Sequence, residues 1–384
     1  MKKLGVNRDN QKKTNRGLIL RLIATEQCTS RVDLARMTGL TKAAISQIVN
    51  ELIDLDYLVE TQKEQSADLG RKPVGLDISP NAPHYAGIQI FREGCRAVLC
   101  DMKARILKSE VVWRRWQEKD ELVASVYALL DHMLENEENV AGIGIASIGP
   151  VKVKEGIIAH PLYFNNIGDI EIRRMVEERY GLPAFFDHDN QSAVQAEHLF
   201  GNGRGYQDVL LVSVSTGVGC GILVDGKRVH SYTGYAPEIG HISIDYDGPQ
   251  CICGNAGCLE SYLNSVSLMR RFRGATGLDL SYRDFCGRYE DPRIDEIMRD
   301  IIRKFSCGLL SVLNVLNSQI VLLSMDCNYW PDCYVEMLEQ EINRKKFGNQ
   351  EMLVPVRKAY FREMTQAVGA ASNVISQVFK GELL

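Results

Sequence analysis

"HISIDYDGPQCICGNAGCLE", residues 241–260, gathers His241, Cys251, Cys253, Cys258 and Glu260 into a stretch punctuated by glycines. Three thiolates and an imidazole make a Cys3His set, the ligand number and type of a closed structural zinc site. The Cys-x-Cys spacing is tighter than the common two-residue separation, and three buried thiols would be the bland alternative. Gly254 and Gly257 allow the loop to wrap, which favours zinc held by His241, Cys251, Cys253 and Cys258.

Upstream of this loop, strand-like apolar runs alternate with helical periods: "YAGIQIF", "RAVLCDM", "VAGIGIAS", "AFFDH", "VLLVSVS", "GCGILVDG" and, downstream, "QIVLLSM". Such alternation implies an α/β fold. The most apolar segment, Cys307 to Met325, is interrupted by Asn314, Asn317, Ser318 and Gln319. These residues are costly in hydrocarbon, so the segment is expected to be a buried helix running into a buried strand rather than a membrane span.

Two further polar stretches interrupt the strands. "STGVGCG", residues 215–221, has glycines at alternate positions, as an anion-binding turn requires and as a tight β-hairpin equally does. In "FFDHDNQSAVQAE", residues 185–197, Asp189 stands where a strand gives way to a helix. That is a common place for ligand-facing side chains, although Asp187, Asp189 or Asn190 would also serve as a helix cap.

Composition bounds the rest. The 384 residues are 45% hydrophobic and 24% charged, ordinary for soluble globular proteins of two or three domains. Eleven cysteines, scattered except for Cys251, Cys253 and Cys258, suit reduced thiols in a cytoplasm, and the basic N-terminus lacks the apolar stretch of a signal peptide. The net charge of -4 conceals an asymmetry, because residues 1–50 hold ten Lys or Arg against three Asp or Glu. This local excess points to a polyanionic partner.

The basic segment divides from Asn15 onward into three helical stretches. Ser30 caps a short helix with Asp33 at its third position, Gly39 supplies a tight turn, and Thr41 caps the next helix. In that helix Ile45, Ile48, Val49 and Leu52 recur at helical spacing and must face inward, leaving Lys42, Ala43, Ser46, Gln47 and Asn50 outward. Small and hydrogen-bonding side chains on such a face suit a DNA major groove, with Arg31 and Thr41 beside it. "DYLVE" and "KPVGLDI" read as two strands around a polar tip with Gly70, Arg71 and Lys72, a wing able to touch phosphates. A helical packing module would share the outline, but the charge, caps and exposed face together favour operator DNA as a partner. "SPNAPHY", residues 79–85, is the connector, giving a winged helix-turn-helix at 1–78 and a body at 79–384.

Taken together, "PEIGHISID" with "CICGNAGCLE", preceded by "STGVGCGILVDG" and "HDNQSAVQAE", resembles the ROK family, named for repressors, open reading frames and sugar kinases. The helix-turn-helix ahead of that body resembles its repressor branch, which includes xylose and N-acetylglucosamine repressors. The resemblance implies a two-lobed actin/hexokinase-like (ribonuclease H-like) body with sugar held in its cleft. It implies sugar-hydroxyl contacts from Asp189, Glu238, His241 and Glu260, with His188 standing where the kinases usually have Asn.

In the family's kinases the residue at 189 would be the general base, with ATP phosphates wrapped by two hairpins. Here the first hairpin departs from the pattern: Gln89 replaces an acid, and Phe91, Arg92 and Glu93 occupy glycine and threonine positions. Ser324 and Met325 stand in place of a double glycine expected beside the adenosine. Phosphoryl transfer depends on exact placement of phosphates and metal, so the expectation is a homo-oligomeric, sugar-responsive repressor of carbohydrate genes and not an enzyme. A sugar kinase with an accessory DNA-binding domain is the alternative.

Overall fold

The computed structural model describes residues 8–62, 74–160, 167–230, 234–348 and 351–384. The N-terminal helices are α1 (Arg8–Ala24), α2 (Arg31–Thr38) and α3 (Lys42–Asp54), followed by β1 (Leu58–Gln62) and β2 (Val74–Ile78). The first helix begins seven residues before the Asn15 start expected from apolar periodicity, because its first turns are polar. Ser30 caps α2 by accepting from Asp33 N–H, and its hydroxyl donates back to Asp33 Oδ2 at 2.7 Å. Gly39 then takes φ +71°, a left-handed value that a side chain would strain, and Thr41 Oγ1 accepts from Ala44 N–H at 3.2 Å to open α3.

β1 and β2 pair antiparallel from Leu58↔Ile78 to Gln62↔Val74, as a wing requires. Arg71 and Lys72 at the expected tip lie outside the described residues.

The body continues with β3 (His84–Phe91), β4 (Gly94–Cys100), β5 (Ile106–Trp113), α4 (Lys119–Leu134), β6 (Val140–Ser147), β7 (Val151–Lys152) and β8 (Ile157–Ile158). Then come α5 (Ile172–Tyr180), β9 (Ala184–His188), α6 (Asp189–Phe200), β10 (Val209–Val214), β11 (Val218–Val224) and β12 (Lys227–Arg228). The remainder comprises α7 (Leu259–Leu263), α8 (Ser265–Thr276), α9 (Tyr282–Gly287), α10 (Pro292–Leu316), β13 (Ile320–Met325), α11 (Asp332–Lys345), β14 (Val356–Lys358) and α12 (Thr365–Lys380).

The chain divides into two compact units. The first comprises residues 1–145, 171–186 and 370–384, so the N-terminal helices group with one half of the body. Its sheet has the order β5-β4-β3-β6-β9, with β3-β4 and β4-β5 antiparallel. Within this unit Lys103 Nζ lies 2.6 Å from Asp77 Oδ1 and 3.8 Å from Glu26 Oε1, fastening the base of the wing to the turn after β4. β5 carries no sequence signal of a buried strand, because its residues are mostly exposed or half-buried and lack an uninterrupted apolar run.

The second unit comprises residues 146–170 and 187–369. Its sheet runs β12-β11-β10-β13-β14, with β10-β11 antiparallel and β10-β13 and β13-β14 parallel. α10 presents Ile294, Ile301, Ile302, Phe305 and Leu309 to the core on one helical face. It stops at Asn317, φ +50°, and the chain enters β13, buried along its length up to half-buried Met325. Residues 307–325 are thus the helix and strand expected. Among the described residues no helix is long and apolar enough to cross a membrane.

Candidate functional site

Five residues singled out in the sequence, His188, Asp189, Glu238, His241 and Glu260, all fall in the second unit. β9 ends at His188 and α6 begins at Asp189, so two polar side chains sit at a strand-to-helix turn. The His188 ring nitrogen Nδ1 lies 3.0 Å from Asp189 Oδ1. Asn190 N–H has both in reach, at 3.3 Å from the ring nitrogen and 2.7 Å from Asp189 Oδ1. The shorter contact takes that proton, so the carboxylate caps α6 and Nδ1 is left to donate to it. Burial works against a charged imidazole, but Asp189, Asp187 and Glu238 outweigh it and raise the pKa of His188. Asp189 therefore both caps the helix and belongs to the cluster.

Asp187 does different work. Its buried carboxylate meets Arg228 Nη1 at 2.6 Å and His230 Nε2 at 3.2 Å, and accepts from His188 N–H at 2.8 Å. Burial opposes ionisation, yet the hydrogen bond from His230 and the charge of Arg228 prevail and lower its pKa. No local pattern reveals Arg228 or His230, because the pairing spans about forty residues.

Glu238 precedes a 3-10 turn at Ile239–His241. Loss of hydration raises its pKa; His241 and His188 pull it down, and Glu260 and Asp189 push it up. Three separate stretches of chain, at residues 188–189, 238–241 and 260, therefore converge closely enough to feel one another's charge. Glu260 lies in the first turn of α7, two residues after Cys258, and its Oε2 accepts from Val218 N–H at 2.8 Å. That bond fixes the turn of the "STGVGCG" hairpin beside the cluster. The hairpin's glycines are needed for close packing: a Cβ on Gly221 would stand 2.1 Å from Asn190 O, and one on Gly219 2.5 Å from Asn190 Nδ2.

The four sulfur and nitrogen ligands of the opening loop come together. His241, Cys251, Cys253 and Cys258 place one donor atom each within 4.8 Å of one another. Cys251 Sγ is 3.5 Å from His241 Nδ1, and Cys253 Sγ is 3.6 Å from Cys258 Sγ. Tetrahedral zinc with Zn–S near 2.3 Å and Zn–N near 2.0 Å sets edges of about 3.5 Å for S–N and about 3.8 Å for S–S. The donor set and spacing fit a metal ion. The loop is backbone-bonded by Cys251 N–H to Asn255 O at 2.8 Å and Gly257 N–H to Pro249 O at 2.9 Å. His241 directs Nδ1 at the thiols, which leaves Nε2 for other partners.

The positions that depart from the kinase pattern are filled. Gln89 is fully buried, and Phe91 is buried edge-on to Trp113 with ring centroids 5.4 Å apart. Arg92 and Glu93 form the two-residue turn between β3 and β4. Ser324 is buried, its hydroxyl accepting from Gln366 Nε2 at 3.2 Å. Met325 adopts φ +61°, ψ -125°, a backbone conformation suited to glycine, with a half-buried side chain instead.

On the N-terminal helices, Ile45, Val49 and Leu52 are fully buried and Ile48 nearly so. Thr41, Lys42, Ala43, Gln47 and Asn50 are exposed and Ser46 is half-buried, forming one continuous polar face. Gln47 Nε2 donates to Glu51 Oε1 at 3.2 Å. Glu51 is also bound by Lys12 at 2.8 Å and Arg16 at 2.6 Å, tying α1 to α3, and these partners lower its pKa to about 2. Arg31 is engaged within the domain by Ser46 O, Asn50 Oδ1 and Glu60 Oε1.

The ROK family profile matches residues 85–377. The xylose repressor of Bacillus subtilis (strain 168) is 27% identical over 375 residues, covering 95% of this chain and 95% of the relative. The crystal structure of a ROK family transcriptional regulator, a homolog of the E. coli MLC protein, superposes with a TM-score of 0.81 at 23% identity, covering 98% of both chains. A ROK family glucokinase from Streptomyces griseus, in complex with glucose and AMPPNP, superposes with a TM-score of 0.64 at 24% identity. It covers 98% of the kinase but 75% of this chain. Both superpositions establish the actin/hexokinase-like fold of the body, and the regulator's, spanning 98% of this chain, is consistent with the N-terminal helix-turn-helix as well.

Proposed function

The chain belongs to the ROK family, and from that premise we propose that it is a sugar-responsive DNA-binding repressor of carbohydrate uptake or catabolism genes. One observation carries the reading. A helix-turn-helix with a polar outer face is joined to a body that has the carboxylate and imidazole cluster, while positions at which the chain departs from the kinase pattern hold Gln89, Phe91, Ser324 and Met325. The similarity to a xylose repressor along nearly the whole chain supports the same reading.

Residues 1–78 form the DNA-binding domain and 79–384 the sugar-binding and oligomerisation body. Thr41, Lys42, Ala43, Ser46, Gln47 and Asn50 meet the major groove, and Arg71 and Lys72 meet phosphates. A two-fold symmetric dimer, or a pair of dimers, matches a palindromic operator in the cytoplasm.

His188, Asp189, Glu238, His241 and Glu260 bind the sugar. Carboxylates accept paired hydrogen bonds from adjacent hydroxyls, and an imidazole gives or takes one according to its tautomer. His241, Cys251, Cys253 and Cys258 hold structural zinc, which uses all four ligands and leaves no open position for water activation. Zinc on His241 Nδ1 orients Nε2 toward the sugar, and Cys258 anchors Glu260 beside it.

The sugar acts by binding the DNA-incompetent state more tightly. A differential of about 1–3 kcal/mol changes operator affinity roughly 5- to 150-fold. Titrating candidate sugars and sugar phosphates against a labelled operator tests this, and an affinity unmoved by all of them would remove the sensor. Sugar-dependent ADP formation that disappears in Asp189→Asn would instead establish the kinase.

A further inference from the structure

Arg31 has the position of a phosphate contact, at the start of α2 beside the polar face of α3. Its guanidinium is nevertheless engaged inside the domain. Nη2 donates to Asn50 Oδ1 at 2.9 Å and to Glu60 Oε1 at 2.7 Å, and Nη1 donates to Ser46 O at 3.3 Å. One side chain thus joins the first residue of α2, two successive turns of α3 and the middle of wing strand β1. Arginine alone offers a planar fork of donors able to serve three acceptors at fixed angles.

The contact with Asn50 has a further consequence. Guanidinium donates and never accepts, so it fixes the amide of Asn50 with Oδ1 toward Arg31. Asn50 is exposed, and its Nδ2 is the amide atom left to donate to a partner outside the domain. A donor on the groove face selects base edges that accept: N7 and O6 of guanine, N7 of adenine or O4 of thymine.

We infer that Arg31 is a positioning residue that sets sequence specificity, bracing α3 against the wing through Glu60 and orienting Asn50 as a hydrogen-bond donor to one base. The inference rests on the DNA-binding reading above. It predicts loss of discrimination rather than uniform weakening when the brace is cut.

Duplexes enriched by the full wild-type chain from a randomised library, and a shuffled duplex of equal composition, supply the probes for anisotropy titrations at several salt concentrations. R31A should bind the enriched duplex about tenfold more weakly, with affinity for the shuffled duplex and the salt slope unchanged. R31K should behave like R31A, because an ammonium keeps the charge but cannot span the three acceptors. E60A should lower the ratio of specific to shuffled binding in the same direction, and re-selection with R31A should relax base preference at one symmetric position per half-site.

Equal weakening on both duplexes, with the slope reduced by about 0.9 and restored by R31K, would make Arg31 a phosphate contact and overturn the inference alone. So would an E60A ratio equal to wild type. Thermal melts and circular dichroism on each variant separate misfolding from these outcomes. A wild-type chain that enriches no duplex overturns the DNA-binding reading, and this inference with it.

Discussion

Gly257→Ala probes the link between the loop backbone and its metal. Gly257 has φ +64°, and a Cβ there would stand 1.6 Å from the carbonyl oxygen of Asp245 and 2.5 Å from its carbon. Non-bonded carbon and oxygen need more than about 3 Å, so one strand of the loop must shift by roughly 1.5 Å. Metal ligand distances tolerate about 0.2 Å. Cys258 is the next residue, so its sulfur moves with that backbone and the tetrahedron opens. Zinc per chain, measured after dialysis against a mild chelator, should fall from about one toward zero, and the response of operator binding to sugar should fall with it. Gly254→Ala is the control: φ there is +90°, but nothing lies within 4 Å of the added carbon. It should retain zinc at a cost of about 1–2 kcal/mol from left-handed backbone strain. A Gly257→Ala chain that keeps wild-type zinc through the same dialysis would refute the reasoning.

Glu51→Gln should loosen α1 from α3. Because the carboxylate's pKa is lowered from 4.5 to about 2 in the folded chain, its stabilisation is complete above about pH 4.5 and is lost as pH falls toward 2. The shift alone would imply about 3 kcal/mol, but screening of these part-exposed pairs reduces that to about 1–2 kcal/mol. Hydrogen exchange of the α3 amides should show wild type and variant apart at pH 7, the gap narrowing below about pH 4.5 and closing only as pH falls through 2; a gap that does not narrow across that window would exclude Glu51 as its source. Asp189→Asn should weaken sugar binding about 10- to 150-fold by calorimetry, the worth of one charge-assisted hydrogen bond, with operator affinity in the absence of sugar unchanged. An undiminished sugar affinity would remove Asp189 from the site. Met325→Gly should leave thermal stability within about 1 kcal/mol, because relief of positive-φ strain offsets the lost side-chain burial. A loss of 3 kcal/mol or more would show that this backbone is unstrained.

Local chemistry made much of the molecule legible. Ser30, Gly39 and Thr41 each act on a backbone group within a few residues, so caps, turn and recognition helix could be placed from spacing alone. Runs such as "VLLVSV" and "IVLLSM" are buried on both faces and announce themselves as strands. Exposed strand β5 and the polar first turns of α1 carry no such signal, and they emerged only with their neighbours in place.

The candidate site divides along the same line. The resemblance to the ROK family implies His188, Asp189, Glu238, His241 and Glu260 as a set, while residue types and spacing point to His241 and the three cysteines as candidate metal ligands. Whether each carboxylate is bound or available depended on partners far along the chain. Asp187 is neutralised by Arg228 and His230, Glu260 is fixed by Val218 N–H, and Arg31 is turned inward by Glu60. Sequence determines which groups a chain has and how its backbone curls over a few residues. Only tertiary structure decides which charges meet, because Coulomb and hydrogen-bond energies depend on distances that folding sets between residues tens of positions apart.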